Sequence, residues 1–418
     1  MKLSGLVLFL SALALAQSSP APAAPEWFNV AVGFTHSAVS VGDQLVLHHE
    51  PSLVGYLSDR VLLGGEVLSH LFDSMSLSPQ DTVSGLMRVV GLLPSDELIA
   101  RLKDERLLAY ELRESPANAS QLVIDLFLNG KPRRVRPEDV LADLLRHLKR
   151  LAAGYRGSRV VTALPDRFDD MQRRAVREAF HLAALDLVAV EDESVAIAAA
   201  FCSDRPFVRP EMLLVLRFGG GSLDAALVHR TAQSAFDIQS AASSEELGGD
   251  MIDRMVASAL TGFPKTSLSM RILRFAERAK RELEDEDIGC IELGDNIIEM
   301  TADKFNEICG DVFARVLELA DQVASSADVV LLAGNAFKPP KLREMVRAKY
   351  GAERVLTLDH LDSSAIVALG LSVLHPTGRA AAASAGAAAD DAAAHSTVAE
   401  LLKPVVASAA VAHDETEL

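Results

Sequence analysis

Cysteine, aromatic side chains and positive charge are all scarce in this chain. Only three cysteines occur among 418 residues: Cys202, Cys290 and Cys309. An odd number without clustered spacing supplies neither a disulfide framework nor a cysteine-based metal site. One bridge or three buried thiols are the two readings, and burial is the commoner fate of an isolated cysteine. Lysine and arginine total 41 against 58 acidic residues, for a formal net charge of −17. That balance argues against nucleic acid and anionic membranes as partners, because both are held by clustered cations. Long apolar runs are missing too. No stretch after the first segment reaches the ~20 apolar residues that cross a bilayer, so no membrane span is expected. What is present, 49% hydrophobic and 24% charged residues, is the composition of a globular protein.

The first segment reads as an address rather than as fold. Lys2 precedes an apolar run from Leu6 to Ala16, and Ala14-Leu15-Ala16 has the small-x-small form of a cleavage site. Residues 1–16 are therefore expected to be a secretory signal peptide, and 17–26 a Pro/Ala/Ser spacer. Asn118-Ala119-Ser120 is a glycosylation sequon, usable only on the secretory route. Residues 27–376 are expected to form the ordered domain, and 377–418 a flexible Ala-rich tail. From Arg379 to Ala394 the tail is almost all Ala, Ser, Gly and Asp, too poor in large apolar groups to build a core. The chain closes on His413-Asp414-Glu415-Thr416-Glu417-Leu418. That is either a plain acidic end or an interrupted version of a His-Asp-Glu-Leu retrieval signal.

Between these ends the patterning alternates. Phe28–Val32, Ser37–Val41 and Gln44–His48 read as strands around a glycine turn. Pro137–Ala153 has helical apolar spacing, with Pro137 suited to a first turn. Arg159–Leu164, Asp169–Leu182, Leu187–Val190 and Ser194–Phe201 then read as strand, helix, strand, helix, the grammar of a layered α/β domain. A second glycine hairpin follows at Leu213–Phe218 and Leu223–Val228. The predicted elements after it are the helices Asp250–Ala259, Ser269–Glu284 and Ala302–Ala324, the strand Asp328–Leu332 and the helix Pro340–Tyr350. Two glycine hairpins near opposite ends of the ordered part suggest an internal duplication holding a ligand between similar lobes.

Glycine-rich turns let backbone N–H groups approach phosphate closely. Leu216-Arg217-Phe218-Gly219-Gly220-Gly221-Ser222-Leu223-Asp224 has this form. Further motifs are Pro165-Asp166-Arg167-Phe168-Asp169, Glu191-Asp192-Glu193-Ser194, Leu247-Gly248-Gly249-Asp250, Glu277-Arg278-Ala279-Lys280-Arg281-Glu282-Leu283 and Val330-Leu331-Leu332-Ala333-Gly334-Asn335. Together, and in this order, they resemble the ATPase domain of the seventy-kilodalton heat-shock chaperones, over about Asn29 to Leu374. The resemblance implies an actin-like α/β fold of two similar lobes around a nucleotide cleft, and a kinship with the endoplasmic-reticulum members.

It also implies roles, and the departures matter most. Ala31 stands where the family has a metal-orienting Asp, Met87 where it has the catalytic Lys, and Arg217 where it has a second Asp. Phe34 replaces the first of two phosphate-binding threonines. Glu193 and Asp224 are retained, and Ser222 replaces a Thr. The cofactor-binding set implied is Thr35, Gly219, Gly220, Gly221, Ser222, Gly248, Gly249, Glu277, Lys280, Arg281, Gly334 and Phe337. Glu277 would meet the ribose, Lys280 and Arg281 would flank the base, and Phe337 would stack on it. Phosphoryl transfer depends on metal, cation and oriented acid together, so ATP or ADP is expected without Mg²⁺ and without appreciable hydrolysis. Arg217 either balances phosphate charge or is tied to a local carboxylate. The implied function is that of a luminal pseudo-ATPase co-chaperone, partnered by a chaperone of the same family or its co-chaperones. The alternatives are a slow ATP-hydrolysing chaperone core and a secreted scaffold.

Overall fold

A meander of three antiparallel strands begins each half of the molecule. In the computed structural model, residues 27–376 are described, apart from 153–154, 204, 206, 232–234, 285, 294–295, 325 and 359. The expected signal peptide, spacer and tail, and the retrieval-like end, lie outside the described residues.

The first meander runs through Phe28–Val32, His36–Val41 and Gln44–Pro51. Its leading strand also pairs in parallel with Arg159–Leu164, which pairs in parallel with Asp186–Asp192. The second meander runs through Glu211–Phe218, Leu223–Arg230 and Phe236–Ser244. Its leading strand pairs in parallel with Val329–Ala333, which pairs with Val355–Thr357. The two five-stranded sheets thus have the same strand order and the same directions. The duplication suggested by the two hairpins is present in the topology.

The centre of the molecule is a helix pair packed between the sheets. Glu193–Cys202 and Ser363–Leu374 share a core with Ala31, Ala38 and Val161 of one sheet and Leu213, Val215 and Leu331 of the other. A helix covered on all sides needs small apolar residues throughout rather than an apolar stripe. That is why the first helix is so rich in alanine, with Ala196, Ala198 and Ala199 fully buried. The crossing is close: a Cβ built on Gly370 would fall 1.8 Å from the Ala196 carbonyl oxygen. The ends of the described region also meet here, since the Trp27 indole Nε1 donates to the His375 carbonyl at 3.2 Å.

Each half adds a smaller layer that walls the cleft. In the first half, Glu111–Ser115, Asn118–Leu128 and Lys131–Val135 form a three-stranded arm. In the second, the helices Gly249–Thr261 and Met270–Glu282 pack beside the hairpin Ile288–Leu293/Asn296–Thr301. The arm was not anticipated, because Glu111, Arg113 and Glu114 break its apolar pattern. The thiols are free; Cys202 and Cys309 are buried, whereas Cys290 is only half-buried. Among the described residues, no helix is long and apolar enough to cross a membrane.

Gly370→Ala is expected to lower stability by about 1–3 kcal/mol through overpacking at the Ala196 carbonyl. Urea denaturation of the purified variant measures this, and an unchanged midpoint would show that the helix pair can separate freely.

Candidate functional site

The two glycine turns close in the same way. Gly33 N–H donates to His36 O at 3.1 Å, and Gly219 N–H donates to Ser222 O at 3.0 Å. Counting back two residues from each glycine places Ala31 and Arg217 at equivalent positions. Their cross-strand partners are Ala38 and Asp224. One half therefore has an apolar pair where the other has opposite charges.

Arg217 is 8% exposed, and its guanidinium cannot shed its proton. Its Nη2 donates to Asp224 Oδ2 at 2.5 Å and lies 2.9 Å from Glu193 Oε2. The Ser222 hydroxyl donates to the same Asp224 oxygen at 2.8 Å. Arg167, from the first half, donates to Asp224 Oδ1 at 3.0 Å and to Glu245 at 3.2 Å. Asp224 is thus gripped from both halves. Burial alone would raise its pKa, but Arg217 and Arg167 outweigh that and hold it below the usual carboxylate range. Glu193 fares differently. Its Oε2 has a close charge but no aligned donor, and burial pushes its pKa up to about 7 against the pull of Arg217. Asp166 is likewise pushed up by burial, to about 6, although it accepts from Ser194 N–H at 3.2 Å.

The Phe34 ring and Thr35 enter the gap between the glycine turns. A Cβ on Gly221 would fall 2.4 Å from the Phe34 ring, and one on Gly85 would fall 2.5 Å from it. Gly85 also has φ +62°, so its missing side chain is required twice over. Thr35 fits as closely against Gly220, 2.6 Å from the same kind of test atom. Arg88 caps the Phe34 ring at 4.4 Å, a cation–π contact. It also donates to Gly221 O at 2.6 Å and to Asp250 Oδ2 at 3.1 Å. Arg88 belongs to the first half and both acceptors to the second, so this 3% exposed side chain ties the two lobes. Met87, beside it, is buried and apolar. Gly248 packs as tightly, with a test atom 2.6 Å from Gly220 O.

Beside these turns the site opens into a cavity of about 1300 Å³, which Phe34, Gly219, Gly220 and Gly249 help to line. Thr35, Tyr110, Leu273, Glu277, Lys280 and Asn335 are among its lining residues. Two sequence expectations need correction here. Lys280 is not free to flank a base, because it is buried and paired with Asp253 at 2.6 Å. Phe337 offers no stacking face, because it is 3% exposed and meets Phe218 edge-on at 5.5 Å. Gly334, φ +108°, lies directly against the Phe218 carbonyl and turns the chain so that Phe337 points into the core. Glu277 lines the cavity; burial would raise its pKa, but Lys280, Arg281 and His36 together lower it. Arg281 is exposed. Burial pushes Asp253 up to about 7 despite Lys280.

Arg88, Arg167 and Asp253 carry much of the site but had no role assigned from sequence. For Arg88 a signal existed: a lone arginine in Leu86-Met87-Arg88-Val89-Val90 must find buried partners or distort the segment.

The model of the family described as Hsp70 protein matches residues 29–380. The chain belongs to the Hsp70 family. A "Chaperone protein HscA homolog" of Haemophilus influenzae (strain PittGG) is 27% identical over 379 residues, covering 84% of this chain and 58% of that one. A "Chaperone protein dnaK1" of Parasynechococcus marenigrum is 29% identical over 357 residues, covering 77% and 51%. A "Heat shock 70 kDa protein" of Neurospora crassa is 26% identical over 324 residues, covering 71% and 48%. The chain spans about half the length of these curated relatives. What it spans is the Hsp70 nucleotide-binding domain, in the actin-like α/β fold.

Hsp70 membership brings ATP as the expected ligand; Thr35, Gly219, Gly220 and Glu277 line the cavity that would take it, but the charges on its phosphate side do not suit a metal-bound triphosphate. The phosphate side of the cleft holds the Phe34 ring, the Arg88 guanidinium and the Arg217 guanidinium. Glu193 and Asp224 face Arg217 rather than open space.

Arg217→Asp is expected to cost on the order of 3–5 kcal/mol, because it leaves buried carboxylates facing one another. Thermal melts with and without Mg²⁺ check this, with partial recovery expected when the cation is added. A second prediction concerns pH. Because the Glu193 pKa is higher folded (about 7) than its ordinary 4.5, stability from this group is greatest at low pH and is lost as pH rises through about 7. Glu193→Gln should therefore reduce the fall in stability between pH 5 and pH 8 by on the order of 2 kcal/mol. Denaturation of both proteins across that range measures the difference, and parallel curves would refute it.

Proposed function

We propose that this chain acts as a pseudo-ATPase of the Hsp70 family, a scaffold or nucleotide-exchange co-chaperone held closed by its own arginines. The observation that carries this reading is the seating of Arg217 between Glu193 and Asp224, 2.9 and 2.5 Å away. A metal-bound triphosphate needs those acids turned toward the metal, a cation on the transferring group and space for three phosphates. Here the acids are neutralised from within, Met87 supplies no charge, and Phe34 narrows the glycine-lined gap. Catalysis of this type is chiefly positioned charge, and one such group is commonly worth several kcal/mol of barrier. Losing three together removes the reaction.

The leader-like Leu6–Ala16 run, the sequon and the His413–Leu418 end support a luminal setting in the endoplasmic reticulum, with secretion as the alternative. The partner proposed there is a full-length chaperone of the same family or one of its co-chaperones. Large family members dock on a partner's nucleotide domain and open it, and a rigid bilobed body suits that task. Retention of Glu193, Asp224 and Ser222 favours the second reading, a slow ATP-hydrolysing chaperone core.

Calorimetric titration with ATP and ADP, each with and without Mg²⁺, separates the two. The expected result is weak binding that Mg²⁺ leaves unchanged, and no turnover above background. Tenfold tighter binding with Mg²⁺, a coupling of ~1.4 kcal/mol, would contradict the proposal. So would a turnover that Glu193→Ala abolishes.

A further inference from the structure

The three-stranded arm above the cleft ends in a tight hairpin. Ser115 pairs with Asn118 across it, so Pro116 and Ala117 form the turn. Five consecutive residues, 116 to 120, are exposed at this tip. The strand then turns inward: Gln121 is half-buried, and Leu122, Val123, Ile124 and Leu126 are core. The tip holds Asn118-Ala119-Ser120, and no other Asn in the chain is followed two residues on by Ser or Thr.

Asn118 already has the local geometry that presents its amide. Ser120 N–H donates to Asn118 Oδ1 at 3.1 Å, a short turn that engages the oxygen and faces the residue outward. Ala119 in the middle position does not block the motif as proline would. Bulk attached here meets solvent, not protein. Deeper along the same arm, Glu111, Arg113 and Asp125 line the cleft, so the tip stands at its rim.

We infer that Asn118 is an N-glycosylation site, carrying one glycan on the tip of the arm. The inference rests on the luminal reading above, because the modifying transferase acts only on chains that enter the secretory route. In the reaction, Asn118 Nδ2 attacks the anomeric carbon of a lipid-diphosphate-linked oligosaccharide. The N–C glycosidic bond forms and the C–O bond to the diphosphate breaks. The lipid diphosphate leaves with that electron pair, and the amide nitrogen gives up one proton. A glycan so placed covers the outer end of the arm and leaves the opposite lobe bare, which directs protein partners to the second half or to the sheet edges.

The test uses the full chain in cultured cells of the secretory type, in two forms. One keeps its own leader; in the other, residues 1–16 are replaced by the cleaved leader of a known secreted protein. Each form is compared with Asn118→Gln, Ser120→Ala and Ser120→Thr, before and after an amidase that removes Asn-linked glycans. The expected result is a single glycan-sized mobility step. It should vanish with the amidase, with Asn118→Gln and with Ser120→Ala, and persist with Ser120→Thr. Peptide mass spectrometry should find Asn118 converted to Asp by the amidase. A protease-protected, translocated chain that migrates without the step, under the substitute leader, overturns the site. A step seen only with the substitute leader upholds the site and overturns the luminal reading instead.

Discussion

A guanidinium sealed into a protein interior must be matched by negative charge, and in this molecule that requirement organises the cleft floor. Arg217 has its match in Asp224 across the hairpin and Glu193 across the lobes. Asp224 is then over-subscribed, with Arg167 taking its other oxygen. Glu193 receives too little compensation and keeps its proton to an unusually high pH. The charges thus sit unevenly, and the unevenness follows from one strand position. In the other half the equivalent position is Ala31, and nothing there needs balancing.

The same region shows how a ligand site is narrowed by ordinary side chains. An aromatic ring packs against the bare backbone of Gly85 and Gly221, and a cation lies over its face. Phe34 and Arg88 supply both parts, one from a turn and one from a short helical segment. Because Arg88 ends on Gly221 and Asp250, this contact is also a strut between lobes. The polar groups at this seam are fixed by one another, and the large cavity opens beside them.

Much of this architecture is legible in the sequence, and the illegible parts have identifiable causes. The paired glycine hairpins announce the duplicated sheets because each needs its glycine turn and flanking apolar runs. The Ala-rich helix announces burial on every side. The arm from Glu111 to Val135 escapes notice because charged residues stud its strands, and sheet pairing overrides their poor propensity. Phe337 shows a different limit. Its position in the family motif suggests a ligand contact, but a backbone turn at Gly334 decides which way it faces. Lys280 fails for a third reason: its partner Asp253 lies a helix away, and no local pattern links the two. The pairing of Arg217 with the retained acids could be framed in advance, since charge must be balanced wherever it is buried. The cross-lobe reach of Arg88 and Arg167 could not, because it depends on how two distant segments meet.

An enclosed arginine strut differs from a bound nucleotide in how its occupancy is set. A diffusible ligand stabilises the folded state by an amount that grows with its free concentration, so a domain closed by nucleotide reports the energy state of its compartment. Arg88 is tethered to the surface it bridges, and its effective concentration is fixed by the chain. The tie that Arg88 makes between the lobes is therefore set by the chain itself and not by the concentration of any diffusible ligand.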